Sequence, residues 1–269
     1  MNLRPSLPFL SRPWALRLAL GLVLLQGGPS TLLAKLIEPQ GLVLKILEQT
    51  QGVSQFQVEV NYRVFDPEAV APLSEPTLDQ NPVSELPQFE FSQKVVLVKD
   101  VGMVSQITEK KGQLLHLTIA KEGRQQEKNL DPKRPFSKAD AAFLPALLFP
   151  KAREEFLTSL TGLGINPTQV GTEVLGYNIL YRLGGPDDHL LIDPKTFRVL
   201  AIRQTVLLDG RAYPLQVLFL GNLPGRPELP QMVRYYLGGR LFKEGVLGKY
   251  TNKDLPKELN RLFKESEHH

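Results

Sequence analysis

The chain has no cysteine among its 269 residues. That excludes disulfides, thiolate metal sites, a cysteine nucleophile and a lipid-modified cysteine closing a leader. An exported protein of this size can dispense with disulfides because its core is large, so the absence does not argue for the cytoplasm. Histidine is scarce too. Only His116 and His189 lie in the body of the chain, and His116 has no second histidine at metal-ligand spacing. Neither a G-x-S-x-G elbow nor a phosphate loop is present. Gly162-Leu-Gly164 is too short for a dinucleotide fingerprint, and Asn166-Pro167 behind it reads as a turn. Asp187-Asp188-His189 could hold a metal ion, but one contiguous cluster seldom supplies enough convergent ligands, and after Gly184-Gly185-Pro186 it reads better as a polar turn. No enzyme, cofactor or metal is expected.

An excess of either charge is also missing. The formal net charge is +4, from 32 bases and 28 acids. With Arg4, Arg12 and Arg17 of the N-terminal stretch set aside, 29 bases face those 28 acids. So balanced a chain exerts little long-range pull on phosphate backbones, and nucleic acid is not an expected partner.

Residues 1–34 read as a signal peptide. The three arginines come before any acid, Leu18–Leu25 is a short apolar run, and Gly27-Gly-Pro-Ser30 leads to Thr31-Leu-Leu-Ala34. The apolar run falls well short of the roughly 20 residues that span a bilayer. Export to the periplasm is the expectation. An uncleaved segment holding the protein at the inner membrane is the alternative. Residues 35–269 are then one domain.

Gly41–Gln51 has the spacing of an amphipathic helix, ended by Gly52. Phe56, Val58, Val60, Tyr62 and Val64 alternate strictly with polar residues and predict a half-buried strand. Residues 66–88 hold five prolines and five acids without a base and read as a loop or disordered insertion, or as a lid. Strands resume with Phe89, Phe91, Val95 and Leu97 on one face. They continue through Met103–Thr108 and a return strand with Leu115, Leu117 and Ile119 on one side and His116 on the other, wet or hydrogen-bonded. Lys121–Lys138 is basic and reads as a solvated connection. Helical signals follow Ser137 and again over Lys151–Leu160, where Phe156, Leu160 and Leu163 share a side. From Val170 an antiparallel meander is expected. It turns at Gly176, Asp193-Pro194, Asp209-Gly210 and Gly238-Gly239, with Leu200, Ile202, Val206 and Leu208 on one side of their strand. Asp254 caps a last helix, with a Leu255, Leu259, Leu262 stripe fit for docking. His268-His269 give little evidence for a metal.

Three pieces carry a resemblance. Ile192-Asp-Pro-Lys-Thr-Phe-Arg-Val-Leu200, the hairpin Val233-Arg-Tyr-Tyr-Leu-Gly-Gly-Arg-Leu241, and Asn252-Lys-Asp-Leu-Pro-Lys-Glu-Leu259 resemble segments of the LolA-like proteins, periplasmic carriers of outer-membrane lipoproteins. The match is best over roughly residues 170–263, and Arg198-Val199 stand where that family has proline. The resemblance implies an α+β fold: a strongly curved antiparallel sheet, an incomplete barrel, with helices closing its concave side. It implies a non-enzymatic binder or carrier of a lipid, acyl chain or lipoprotein anchor in the cell envelope, with an envelope membrane protein as a further partner. Phe56, Val58, Val60, Tyr62, Val95, Leu97, Leu117 and Ile119 are the candidate lining of its trough. The alternative is an envelope interaction or sensor module that uses the same half-barrel without a lipid.

Overall fold

Gln55–Val64, the stretch of strict alternation, is a ten-residue strand (β1), and the rest of the sheet is laid out on both sides of it. The computed structural model describes residues 37–49, 54–65, 89–98, 100–121, 124–130, 153–208, 210–224, 226 and 229–266. The leader, the proline-rich insertion at 66–88, the helical signals after Ser137 and the terminal histidines lie outside them.

On one side of β1 come β2 (Phe89–Val98), β3 (Gly102–Glu109), β4 (Leu114–Lys121) and the edge strand β5 (Arg124–Asn129). On the other side β12 (Arg240–Thr251) pairs with β1. Beyond it lie β11 (Met232–Leu237), β10 (Arg211–Leu220), β9 (Val199–Leu208), β8 (His189–Ile192), β7 (Asn178–Gly184) and the second edge, β6 (Val170–Leu175). All eleven pairings are antiparallel, and β5 and β6 do not meet, so the barrel stays open. Only β1–β12 joins strands far apart in sequence. The other pairs are consecutive strands, and β2–β3, β3–β4, β6–β7, β8–β9 and β11–β12 are joined by short turns, as the Gly and Asp-Pro signals predict.

Three helices complete the described structure: α1 (Pro39–Glu48), α2 (Arg153–Gly162) and α3 (Leu255–Ser266). Helix α1 begins two residues earlier than its apolar spacing suggests, because Pro39 suits the first turn, where no amide donor is needed. Its Leu42, Val43 and Ile46, with Phe156 and Leu160 of α2, join one buried cluster containing residues of β1–β4 and β7–β12. Twelve strands at about 4.8 Å spacing would make a flat sheet roughly 53 Å wide, far more than two short helices can touch. One cluster reaching so many strands requires the sheet to bend around the helices. We call the face toward α1 and α2 the inner face.

The third helix takes the opposite, outer face. Leu255, Leu259, Leu262 and Phe263 are buried there against Val96, Val98, Val104 and Leu117. Lys94 Nζ donates to Glu258 Oε1 at 2.7 Å, and Arg261 is bonded to the same carboxylate. The helices therefore divide between the two sides of the sheet.

Local irregularities decide which face several side chains take. Ile107 pairs with His116, but Thr108 pairs with Leu114, so Leu115 is an extra residue in β4. This bulge breaks the period of two. Leu115 belongs to the inner cluster and Leu117 to the outer. His116, expected wet or hydrogen-bonded, is 2% exposed, and its Nε2 lies 3.2 Å from Thr118 Oγ1. A second bulge falls at Leu200, between the Leu191–Ala201 and Ile192–Val199 pairs. Leu200 packs with Ala201 on the outer side, and not with Ile202 as simple alternation predicts.

Candidate functional site

The inner wall is built from β1 outward. Alternation puts Phe56, Val58, Val60 and Tyr62 on one side, all at most 3% exposed. Across β1–β2, Phe56 faces Leu97, Val58 faces Val95 and Tyr62 faces Phe91. Six predicted lining residues, Phe56, Val58, Val60, Tyr62, Val95 and Leu97, thus lie together on the inner face. The other two do not. Leu117 and Ile119 stand beneath α3 on the outer face, because the bulge at Leu115 turns the strand over.

Toward the Val64 end of β1 the wall becomes aromatic. Tyr62 stacks on Phe91 at 4.9 Å between centroids, and Tyr235 lies 6.5 Å from Tyr62 and 6.1 Å from Phe242. The ammonium of Lys243 sits over this group, 4.1 Å from the Tyr235 ring and 5.3 Å from that of Tyr62. A desolvated cation over aromatic faces gains about 2 kcal/mol from the ring quadrupoles, which offsets part of the cost of leaving water. Toward β4 the wall carries a polar inset of four buried side chains. Gln93 Nε2 donates to Ser105 Oγ at 2.9 Å, and His116 contacts Thr118. Alternation on β2 places Gln93 there. The inset's other members depend on cross-strand register, which the chain does not announce.

A cleft lies between the two helices of the inner face. Glu38, Pro39, Gln40 and Val43 from the start of α1, Arg153 and Leu157 of α2, and Pro167 with Thr168 line this cleft of about 380 Å³. Val43 belongs to the inner cluster and Leu157 packs against it, so the floor of the cleft is the core itself. The rim is polar and carries one charge of each sign, Glu38 and Arg153. Helix α2 is held by two buried side chains, Phe156 and Leu160. Val43 was visible in the sequence as part of an apolar stripe, but nothing there sets it opposite Leu157.

A second cleft, about 290 Å³, is bounded by Asn61, Tyr62, Arg63, Glu90, Phe91, Ser92, Lys110 and Val246. Its polar groups are tied to one another. Ser92 Oγ donates to Asn61 Oδ1, and Lys110 donates to Glu90 and so holds that carboxyl below its ordinary pKa.

Besides the Lys94, Glu258 and Arg261 group that holds α3, the outer face carries further paired charges. Glu244, with no side-chain exposure, is paired with Arg63 and accepts from Arg234 Nε at 2.7 Å. Near the β6 edge, Glu173 is paired with Arg203, and its Oε2 lies 3.0 Å from His189 Nε2. Asp188 accepts from the distant Thr205 amide, while Asp193 accepts from the Lys195 amide and the Thr196 hydroxyl, as a turn residue does. Among the described residues no three histidine, aspartate or glutamate side chains are grouped to hold a metal ion.

No family model matches the chain, and no curated protein matches it in sequence. Solved structures are similar to it. A LolA superfamily protein from Nitrosomonas europaea is 15% identical, with a TM-score of 0.47 over 83% of this chain and 97% of its own. A putative outer membrane lipoprotein-sorting protein domain from Vibrio parahaemolyticus is 9% identical, with a TM-score of 0.49 over 84% of this chain and 97% of its own.

Proposed function

We propose that the protein binds and carries a molecule with a long acyl chain, a lipid or a lipoprotein anchor, in the cell envelope and without chemistry on it. The observation that carries this reading is the cleft between α1 and α2, whose floor is the apolar core of a bent sheet. Parting two ten-residue helices, each about 15 Å long, would extend that cleft along the row Phe56, Val58, Val60, Tyr62, Val95 and Leu97. An acyl chain entering there gains about 0.8 kcal/mol for each methylene taken from water, so a long chain needs no charged contact to bind. The reading places the protein in the periplasm, delivered by residues 1–34, or at the inner membrane if that segment is retained. An envelope membrane protein would be the donor or the acceptor.

A second reading has its own support. Phe56 and Val60 are completely buried as the chain stands, as they would be in an interaction module that fills its half-barrel with its own helices. One experiment separates the two. The protein is recovered from its native envelope and extracted with solvent, the extract is analysed by mass, and the stripped protein is titrated with a fluorescent fatty acid. Co-purifying lipid and saturable uptake are expected. Neither lipid nor uptake would leave the interaction module as the reading.

A further inference from the structure

The two edges of the sheet are finished differently. Strand β5 reads Arg124-Gln-Gln-Glu-Lys-Asn129, the polar and charged composition that discourages contact at an open edge. Strand β6 and its hairpin with β7 do the reverse. Val174 is 63% exposed, Ile179 66%, and Tyr177 in the turn is fully exposed. Val174 and Ile179 face each other across the hairpin, so the three side chains form one apolar tip. Val174-Leu-Gly-Tyr-Asn-Ile179 contains no charge, and the nearest carboxylate, Glu173, is engaged by Arg203 and His189.

We propose that the tip of the β6–β7 hairpin seats in the interfacial layer of a lipid bilayer. Within the tip the strands are paired at Val174–Ile179 and Leu175–Asn178, so backbone groups between them leave water already matched. No ion has to be desolvated. Tyrosine is suited to the headgroup level, where its ring is apolar and its hydroxyl stays wet, while Val174 and Ile179 lose unfavourable contact with water. The adjoining turn, Asp193-Pro-Lys-Thr-Phe-Arg198, carries two bases against one acid. Ile192 pairs with Tyr181, three residues from Asn178, and exposed Lys195 follows it at that end of the sheet. Anionic headgroups would therefore strengthen the contact. The hairpin would act in this way whether or not the inner face holds a passenger.

The test uses the full chain and vesicles of phosphatidylcholine with phosphatidylglycerol. The one tryptophan of the sequence is Trp14, so Trp14→Phe with Tyr177→Trp leaves a single indole at the tip. Vesicles should shift its emission to the blue and protect it from acrylamide. In flotation, the triple variant Val174→Ser, Tyr177→Ser, Ile179→Ser should bind at least about tenfold more weakly, with an unchanged melting temperature because the three side chains are exposed. Emission at position 177 that ignores vesicles overturns the proposal. So does a concentration-dependent dimer that the triple variant loses while that emission stays unchanged, since the occupant would then be a second copy. Fatty-acid uptake in vesicle-free solution, unaltered in the triple variant, separates failure here from failure of the carrier reading.

Discussion

The ring of Tyr62 occupies the space a side chain at Gly245 would need: a Cβ there would stand 2.6 Å from Tyr62 Cε1 and 3.0 Å from Val60 Cγ1. The two residues are partners across β1–β12, the one pairing that joins the early and late parts of the chain. Gly245→Ala should overpack the inner wall and cost about 1–3 kcal/mol. Adding Tyr62→Ala should recover part of that loss, so the double variant falls short of the sum of the singles. Urea denaturation measures both, and an unmoved midpoint for Gly245→Ala would show that the wall gives way freely.

The docking of α3 is a mixture of apolar burial and one ion pair network. Leu259 is fully buried, and Leu259→Ala should cost about 2–5 kcal/mol. Hydrogen bonds from Arg261 and then Lys94 pull the Glu258 pKa from 4.5 down to about 2. The folded carboxyl is harder to protonate than the unfolded one, so its contribution is present above 4.5 and fades as pH falls toward 2. Lys94 and Arg261 are partly in water, which limits the effect to about 1 kcal/mol. Glu258→Gln should therefore lower stability at neutral pH and make little difference in strong acid. A deficit that persists unchanged at low pH would mean the contact acts through packing and not charge.

His189 should make the fold sensitive to mild acid. Burial holds its pKa below the ordinary 6.5, Glu173 pulls it back up, and Arg203 and Arg182 push it down further. The unfolded chain accepts a proton at this position before the folded one does, so stability should decline as pH drops below 6.5. His189→Gln should flatten that slope in melting curves taken across the range. The same slope in both proteins would place the sensitivity elsewhere.

Loss of Glu244 and loss of its more exposed partner Arg63 should differ in cost. Glu244→Gln leaves Arg234, 5% exposed, beside a neutral partner, and should cost about 3 kcal/mol. Arg63 is 38% exposed, and Arg63→Ala should cost no more than about 1 kcal/mol. Equal losses would contradict the difference in burial.

The cysteine-free background allows a direct test of the cleft. Val43→Cys with Leu157→Cys, joined by a short bis-maleimide, would tie α1 to α2. Uptake of a fluorescent fatty acid should fall at least about tenfold, and the unlinked double variant should retain it. Undiminished uptake after complete linking would show that chains do not enter between these helices.

Much of the architecture could be read along the chain, because the local rules act on near neighbours. Alternation from Phe56 to Val64 marked β1, and Gly176, Asp193-Pro194 and Gly238-Gly239 marked the turns of the meander. The leucines at 255, 259 and 262 marked a docking helix. Placing Leu117, Ile119 and Leu200 on the expected face was beyond those rules. One added residue in a strand reverses every side chain after it, and whether a residue is added depends on the partner strand's register. Val43 and Leu157, 114 positions apart, form a cleft floor only after α1 and α2 settle on one side of the sheet. Local pattern thus determined most of the strands and helices and their amphipathic faces, but not β5, which lies in the basic stretch read as a solvated connection and carries no apolar row to mark it. Tertiary structure decided which face each apolar row joins and where α3 goes, because a sheet with two apolar sides leaves that choice to the packing of distant elements.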